Sequence, residues 1–300
     1  MKSLTTLRNL AGSLSQNTNS ANLTLLDQLI NDAHRYLLEK YFFNESSTTI
    51  VTVAQQQFYD LPYDYSKLKT GTITIGDLKW TPTEILSRAD WDKLNVFPYY
   101  SDIPNNFFIY NNQIGFWPIP STAGNTITFN YKRRVTDLTL ADYTTGTVTA
   151  TNGSTTITGA GTGFLANYLP SAGSVLNLNL WIKVTPPGGD GNWYQISAIT
   201  SATVLTLVNE YQGGTIAGAS FTIGQMPLLL EDYHDLLVYR PLMIYFSTIQ
   251  DNPNKKKEFT DLYETGISML DNYAGSKALN VNLRGAINTL NPNLYPQNLT

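Results

Sequence analysis

The sequence contains no cysteine, and this absence removes several kinds of chemistry at once. Without thiols the chain forms no disulfide, offers no thiolate nucleophile and binds no cysteine-ligated metal. Such a composition suits a cytosolic origin, and it equally suits a particle that meets any redox environment. Only two histidines are present, His34 and His234, and they lack the spacing of metal-binding motifs. We therefore expect no metal or other cofactor, and we interpret both as helix-surface or helix-packing residues.

Charge and long apolar runs are also scarce. Charged residues make up 14% of the chain and the formal net charge is -4. A protein that coats nucleic acid normally shows a basic surface, so this balance argues against that role. No apolar run reaches the ~18–20 residues of a membrane span. The first residues, Met1–Thr6, lack the apolar core of a secretory signal. We predict a globular protein without a membrane partner.

Motifs of catalysis are missing too. No GxSxG nucleophile setting occurs, and the run Gly159–Gly163 lacks the Lys-Ser/Thr pair of a phosphate loop. Acidic residues on two predicted helices are candidates for the paired carboxylates of a glycoside hydrolase, but they equally suit solvated helix faces. These residues are Asp27, Asp32, Glu39, Glu231, Asp232 and Asp235. We predict that the protein is not an enzyme.

Two stretches carry apolar residues at the three- and four-residue spacing of amphipathic helices. The first covers Leu23–Phe43 and follows a polar N-terminal segment with a short leucine periodicity, which we interpret as a frayed or partner-dependent arm. The second covers Leu228–Tyr273 and breaks at Asp251–Pro253 into two helices. Residues 1–47 are therefore predicted to hold the arm and a first bundle helix. Residues 226–275 are predicted to form a helical hairpin that completes the bundle.

The chain between these helices is predicted to be β-structure. Residues 48–143 contain alternating segments such as Thr126–Arg133 and form a β unit. Residues 144–225 are rich in glycine and threonine, and Asn152-Gly153 is a strong hairpin signal because both residue types tolerate positive φ. Short strands at regular spacing are typical of a small barrel or sandwich, so we predict an inserted β-barrel or β-sandwich domain.

The last segment, residues 276–300, combines scattered leucines with many asparagines and two prolines. No helical or strand period is visible, so we predict an extended C-terminal arm that lies on a partner. Taken together, the fold class is α+β. An N-terminal helix and a C-terminal helical hairpin form a bundle, which carries a β unit and an inserted small β domain.

Several short motifs stand in a familiar order along this chain. Tyr59-Asp60-Leu61-Pro62 follows the first helix, Phe116-Trp117-Pro118-Ile119-Pro120 precedes the strand that contains Tyr131, and Met226-Pro227 leads into Tyr233-His234-Asp235-Leu236-Leu237. This pattern of spaced aromatics and prolines covers about two-thirds of the chain. It resembles the head–tail adaptor (connector or head-completion) proteins of tailed bacteriophages. The segment 144–225 departs from the smallest members of that family, which lack such a domain.

The resemblance implies a structural virion protein of the portal vertex, made in the host cytoplasm and involved in genome packaging and ejection. Such proteins form a ring, typically of twelve subunits, beneath the portal protein. The ring extends the DNA channel, lets DNA pass without specific binding and presents a docking surface to the tail or nozzle protein. Expected partners are therefore the portal protein, the tail protein and further copies of the chain.

Three groups of residues are the candidate contacts for these partners. Apolar residues of the arm are predicted to bind the portal: Leu279, Val281, Leu283, Ile287, Leu290, Leu294 and Tyr295. Side chains that fall off the helix stripe are predicted to face a neighbouring subunit: Tyr239, Arg240 and Phe246. Lys255, Lys256 and Lys257 open a helix, where the dipole disfavours cations, so they are candidates for contact with phosphate or an acidic partner. A solvated helix start is the simpler interpretation of the lysines.

A second function remains open at this point. Trp181, Trp193 and Tyr194 are candidates for exposed aromatic platforms, as in a carbohydrate-binding or glycan-degrading virion or tail protein. A decoration domain over residues 144–225 would reconcile both functions.

Overall fold

The chain is a mixed α+β protein. Its computed structural model describes residues 1–41, 45–70, 73–75, 78–80, 82–168 and 179–290, the last fifteen of these by their backbone alone. The chain divides into two compact units. The first unit comprises Met1–Leu37 and Thr136–Thr300, and the second unit comprises Leu38–Val135. The boundaries of the five predicted segments stay predictions.

The first helix, α1 (Leu4–Ser15), replaces the predicted frayed arm, and that prediction is wrong for these residues. Ser3 caps the helix, since its Oγ accepts a hydrogen bond from the Thr6 amide at 3.3 Å. Leu4, Leu7 and Ala11 follow one face and are buried. The short leucine periodicity is therefore the apolar stripe of a packed helix.

The second helix, α2 (Ser20–Tyr41), confirms the helix predicted at Leu23–Phe43. Asn19 acts as its cap, because Asn19 Oδ1 accepts from the Asn22 amide at 2.8 Å. Its apolar stripe has no exposed surface at Leu26, Ile30, Ala33 and Leu37. The predicted end of this helix at Phe43-Asn44 lies outside the described residues.

The late helical pair is α5 (Leu236–Thr248) and α6 (Pro253–Leu290), preceded by a 3₁₀ turn at Glu231–Tyr233. The break predicted at Asp251–Pro253 separates them. The extended arm is wrong for residues 276–290, which continue α6. Extending an existing helix requires no new nucleation, and no proline occurs between Pro253, the first residue of α6, and Pro292. Residues 291–300 lie outside the described part.

Helix α5 is packed on more than one side. It contacts α1 and α6, and the Phe246 ring of α5 stacks on Phe259 of α6 with centroids 5.7 Å apart. Helices α1 and α2 approach closely at Gly12, where an added Cβ would lie 2.8 Å from the Leu23 side chain. Because two helices cover α5, its buried apolar surface extends over more than one side of the helix.

The second unit contains nine strands and the short helix α3 (Arg88–Leu94) among its described residues. The strands are β1 (Glu45–Val51), β2 (Phe58–Asp60), β3 (Tyr65–Thr70), β4 (Ile73–Ile75), β5 (Leu78–Trp80), β6 (Thr83–Glu84), β7 (Asn106–Tyr110), β8 (Gln113–Trp117) and β9 (Thr126–Arg133). They form a sheet of order β1-β9-β3, a sheet of order β2-β8-β7-β6 and the pair β4-β5. The predicted hairpin around Asn111-Asn112 joins β7 to β8.

Aromatic packing holds α3 against the β2-β8-β7-β6 sheet. Trp91 of α3 is 2% exposed, and its ring stacks on Phe108 of β7 with centroids 5.3 Å apart. Gly115 of β8 makes room for this contact, since an added Cβ would lie 2.6 Å from the Phe58 ring and 3.0 Å from Trp91. A glycine in a strand interior here permits the close approach of two aromatic rings.

Residues 147–168 and 179–225 form one seven-stranded antiparallel sheet that curls into a half-barrel, together with the short helix α4 (Phe164–Tyr168). The strands are β10 (Thr147–Ala150), β11 (Thr156–Ala160), β12 (Leu180–Val184), β13 (Trp193–Ile199), β14 (Val204–Leu207), β15 (Ile216–Ala219) and β16 (Phe221–Gln225). The two edge strands, β15 and β16, are consecutive in the chain and separated only by Ser220. Alternating inward side chains such as Leu180, Ile182 and Val184 fill its interior.

Candidate interaction surfaces

Phe246 does not face a neighbouring subunit. Its side chain is 1% exposed and packs against Phe259, so it offers no surface to a neighbouring copy. The prediction assumed one buried stripe on α5, whereas α5 contacts both α1 and α6. A residue off the first stripe is therefore buried by the second neighbour.

Tyr239 and Arg240 are half-buried and lie near the N-terminal end of α5. The Arg240 guanidinium lies over the Tyr36 ring at 3.9 Å and donates from Nη1 to the Tyr263 hydroxyl at 3.4 Å. Tyr239 lies beside Phe259, and burial raises the pKa of its hydroxyl. Arg240 thus joins α2, α5 and α6 within one protomer by a cation–π contact, and only Tyr36 of this group is exposed.

The three lysines that open α6 have different surroundings. Lys255 is half-buried, and its Nζ lies 5.2 Å from the Phe246 ring and 3.5 Å from the carbonyl oxygen of Leu14. That carbonyl belongs to the last turn of α1, where a cation is favoured by the helix dipole. Lys256 and Lys257 are exposed. The charge of Lys255 at the start of a helix therefore has a structural explanation. Lys256 and Lys257 remain candidates for contact with phosphate or an acidic partner.

Helix α6 continues well past Leu270. Leu270 is its last buried side chain among those described, and 20 helical residues follow it, a length of ~30 Å at 1.5 Å per residue. The predicted portal-binding residues Leu279, Val281, Leu283, Ile287 and Leu290 belong to this part, where only the backbone is described. Leu294 and Tyr295 lie outside the described residues.

Each of the two histidines accepts a hydrogen bond from a backbone amide far away in the sequence, and these contacts were not predicted. His34 Nε2 accepts the Leu228 amide proton at 3.1 Å, and His234 Nδ1 accepts the Lys2 amide proton at 3.1 Å. The other ring nitrogen of His234 lies 3.0 Å from the Leu229 carbonyl oxygen. Both residues are 1% exposed, and burial lowers the pKa of each side chain, which favours the neutral form. Burial, with smaller contributions from His234 and Arg35, lowers the pKa of His34 to about 4.

Four of the six acidic residues considered for hydrolysis, Asp27, Asp32, Glu231 and Asp235, form ion pairs. Asp27 pairs with Arg8, Asp32 with Arg35, and Asp235 with Lys2. Within the described ranges no group of three or more histidine, aspartate or glutamate side chains is arranged to hold a metal ion. The Arg8–Asp27 pair joins α1 to α2, whereas Asp32 and Arg35 lie on the same helix.

Comparison with protein families supports one of the interpretations of this chain. Residues 3–151 match the family model of the SU10 adaptor protein. The resemblance to a phage head–tail adaptor is thereby confirmed for this segment, which is just under half of the chain. No curated protein matches the sequence. In the part of the chain that the structure describes, no helix is long and apolar enough to cross a membrane.

The half-barrel lies almost entirely beyond the SU10 adaptor match, and its aromatic residues differ in exposure. Trp181 and Trp193 are half-buried on its outer face, and Lys183 Nζ lies 5.0 Å from the centre of the Trp193 ring. Tyr194 is not an exposed platform, since it is 9% exposed, faces the interior and donates its hydroxyl proton to Asp190. Alternation along β13 places Trp193 and Tyr194 on opposite faces.

A further surface lies inside the SU10 adaptor segment and was missed from the sequence. The loop that follows α3 exposes Val96, Phe97, Tyr99, Tyr100 and Ile103, and we call residues 96–103 the apolar tip. The run Val-Phe-Pro-Tyr-Tyr was the available signal, because loops usually consist of small and polar residues.

Proposed function

We propose that this SU10 adaptor protein is a structural, non-enzymatic virion component that forms a ring, of twelve copies, beneath the portal protein. The ring extends the DNA channel and presents a docking surface to the tail. The observation that carries the proposal is the family match over residues 3–151, which includes α1, α2 and the whole second unit.

The length of α6 beyond Leu270 supports a contact with the portal. A helix that runs ~30 Å beyond its last buried described residue, Leu270, is a suitable element to reach another protein. We assign the portal contact to the segment that follows Gly275, including the leucines at positions 279, 283 and 290.

The charges of the described side chains support a channel that passes DNA without gripping it. Each phosphate that a cation neutralises strengthens DNA binding through counterion release, so unpaired basic surface would retard passage. Most of the arginines of the first unit and of α3 are paired, as in Arg8–Asp27, Arg35–Asp137 and Arg88–Asp92. Lys256 and Lys257 are exposed at the start of α6, and we assign them to an acidic partner surface.

A chain that ends at Gly275 is expected to lose its binding to the portal protein while it keeps its fold. Leu270, the last buried described side chain of α6, is retained, so the thermal unfolding curve should shift little. Light scattering after size exclusion, followed by pull-down with the purified portal protein, measures both properties. A chain that ends at Leu290 is the matched control and tests whether residues 291–300 contribute. A stable full-length monomer that ignores the portal would contradict the proposed function.

Carbohydrate binding is a second candidate, favoured by Trp181 and Trp193 on neighbouring strands of the half-barrel's outer face. If it is correct, Trp193→Ala is expected to abolish binding on a glycan array, since a sugar ring stacks on an indole face. Trp91→Phe in the second unit is an unrelated aromatic control. An array on which the unmodified chain binds nothing would remove this candidate and leave the adaptor role intact.

A further inference from the structure

Exposed apolar side chains are concentrated in one part of the second unit. Of the fifteen large apolar side chains that are exposed among the described residues, seven lie between Leu86 and Tyr110. Phe97 is 80% exposed, Val96 64% and Tyr99 57%. Single exposed apolar residues are normal on a monomer, but a cluster of this kind marks a contact surface.

The fold holds the apolar tip in place at both ends. At its start, Asn95 ends α3, with its amide and its Nδ2 both donating to the Trp91 carbonyl oxygen. In its middle, the Ile119 amide donates to the Tyr99 carbonyl at 2.8 Å, and the Ser101 amide donates to the Ile119 carbonyl at 2.9 Å. The tip is therefore pre-organised, which reduces the entropy lost when a partner covers it.

Three further hydrogen bonds fix the far end of the tip. Asp102 Oδ1 accepts from the Ser121 hydroxyl at 2.7 Å and from the Thr122 amide at 2.8 Å. The Asn105 amide donates to the Trp117 carbonyl at 3.0 Å. Exposure of Phe97 is thus imposed by its surroundings and does not result from a loose loop.

The charges near the tip exclude two kinds of partner. Residues 94–101 carry no charged side chain, and the neighbouring charges of α3 pair with one another as Arg88–Asp92 and Lys93–Asp90. DNA and anionic membranes are held by cations, and the tip supplies none. Its chemistry fits an apolar recess on another protein.

The area and composition of the tip favour a permanent contact. Three aromatic rings of ~150–250 Å² each, partly exposed, with Val96 and Ile103 beside them, provide several hundred Å² of apolar surface. That is a large part of the ~800 Å² that each partner contributes to a stable interface. Permanent interfaces between identical subunits have the most apolar cores. A second copy of the chain is also the one partner that every copy meets as soon as it is made.

We propose that the apolar tip, centred on Phe97, is a self-association surface that inserts into an adjacent copy of this chain. The inference rests on the proposed ring and names one of its contacts. Such a contact is heterologous, since the tip meets a different surface of its neighbour, and a repeated heterologous contact generates a ring when the rotation between copies closes.

Because the sequence has no cysteine, the variant Phe97→Cys carries a single thiol, and this allows a direct test of the contact made by the tip. The thiol is coupled to a maleimide-benzophenone, and the purified protein is irradiated alone and with the portal protein. Val208→Cys, on a residue that is 50% exposed in the half-barrel, is the matched control. Phe97→Asp and Val208→Asp are compared in parallel by light scattering, and circular dichroism checks that each remains folded.

We expect cross-linked pairs of this chain from the Phe97→Cys protein and few from the control. We also expect Phe97→Asp to shift to the monomer mass at concentrations where wild type and Val208→Asp are assembled. If wild type and Phe97→Asp assemble equally, or the thiol at position 97 cross-links only to the portal, the tip assignment is wrong and the ring stands. A wild-type chain that stays monomeric with the portal present and yields no cross-link would overturn the ring as well.

Discussion

Replacing Leu7 with alanine is expected to lower the free energy of unfolding by about 2–5 kcal/mol, the range for leucine-to-alanine changes in packed cores. Leu7 has no exposed surface and belongs to α1, which packs on α5. The loss combines the transfer energy of the removed methyl groups with the cavity that remains. Urea unfolding followed by circular dichroism measures the change.

Leu10→Ala is the matched control, since it makes the same chemical change on a half-buried position of the same helix. We expect it to cost clearly less than Leu7→Ala. Equal and negligible effects at both positions would mean that residues 4–15 are the frayed arm indicated by the sequence, and that α1 contributes nothing to stability.

Acidification from pH 7 to pH 5 is expected to remove about 2 kcal/mol of stability through His34 alone. The pKa of His34 is about 4 in the folded chain, below its ordinary value of 6.5. The unfolded chain therefore takes up the proton first as pH falls. Stability is complete above pH 6.5 and declines as pH falls towards 4. The pKa of His234 is also lowered by burial, and it adds loss in the same direction.

His34→Gln isolates this contribution, because glutamine has no titratable group and a similar reach. Urea unfolding measures the free energy of unfolding at pH 7 and at pH 5. We expect its decrease between these two pH values to be about 2 kcal/mol smaller in the variant than in the unmodified chain. Arg35→Gln, on the neighbouring exposed residue, should retain most of the pH dependence. An unchanged difference in the His34 variant would show that this histidine titrates normally in the folded protein.

Helices that bury one face were predictable, because their apolar residues follow the helical period. This holds for α2, whose stripe Leu26, Ile30, Ala33 and Leu37 is fully buried. The helical period did not predict burial correctly where a helix packs on more than one face. Helix α5 is covered by α1 and α6, so Phe246 is buried although it lies off the main stripe. Residues 276–290 are helical without a visible stripe, because a helix that already exists continues at little cost.

The candidate surfaces were less predictable, because they depend on contacts between distant parts of the chain. The hydrogen bond from Leu228 to His34 spans 194 residues, and the one from Lys2 to His234 spans 232. No spacing rule connects such pairs. Lys255 was recognised as misplaced in its own helix, but its partner, the last turn of α1, lies 241 residues earlier. The sequence identified the unusual residue and left its partner open.

The packing of α1 on α5 also determines the order in which this protein is completed during synthesis. The second unit, Leu38–Val135, is continuous, so all of its contacts are available once residue 135 has left the ribosome. The first unit must keep Leu4, Leu7 and Ala11 uncovered until α5, more than two hundred residues later, has been made. Contacts of such long sequence separation form slowly. An emerging chain therefore carries an exposed apolar helix at its start for most of its translation, and truncated products are expected to be aggregation-prone.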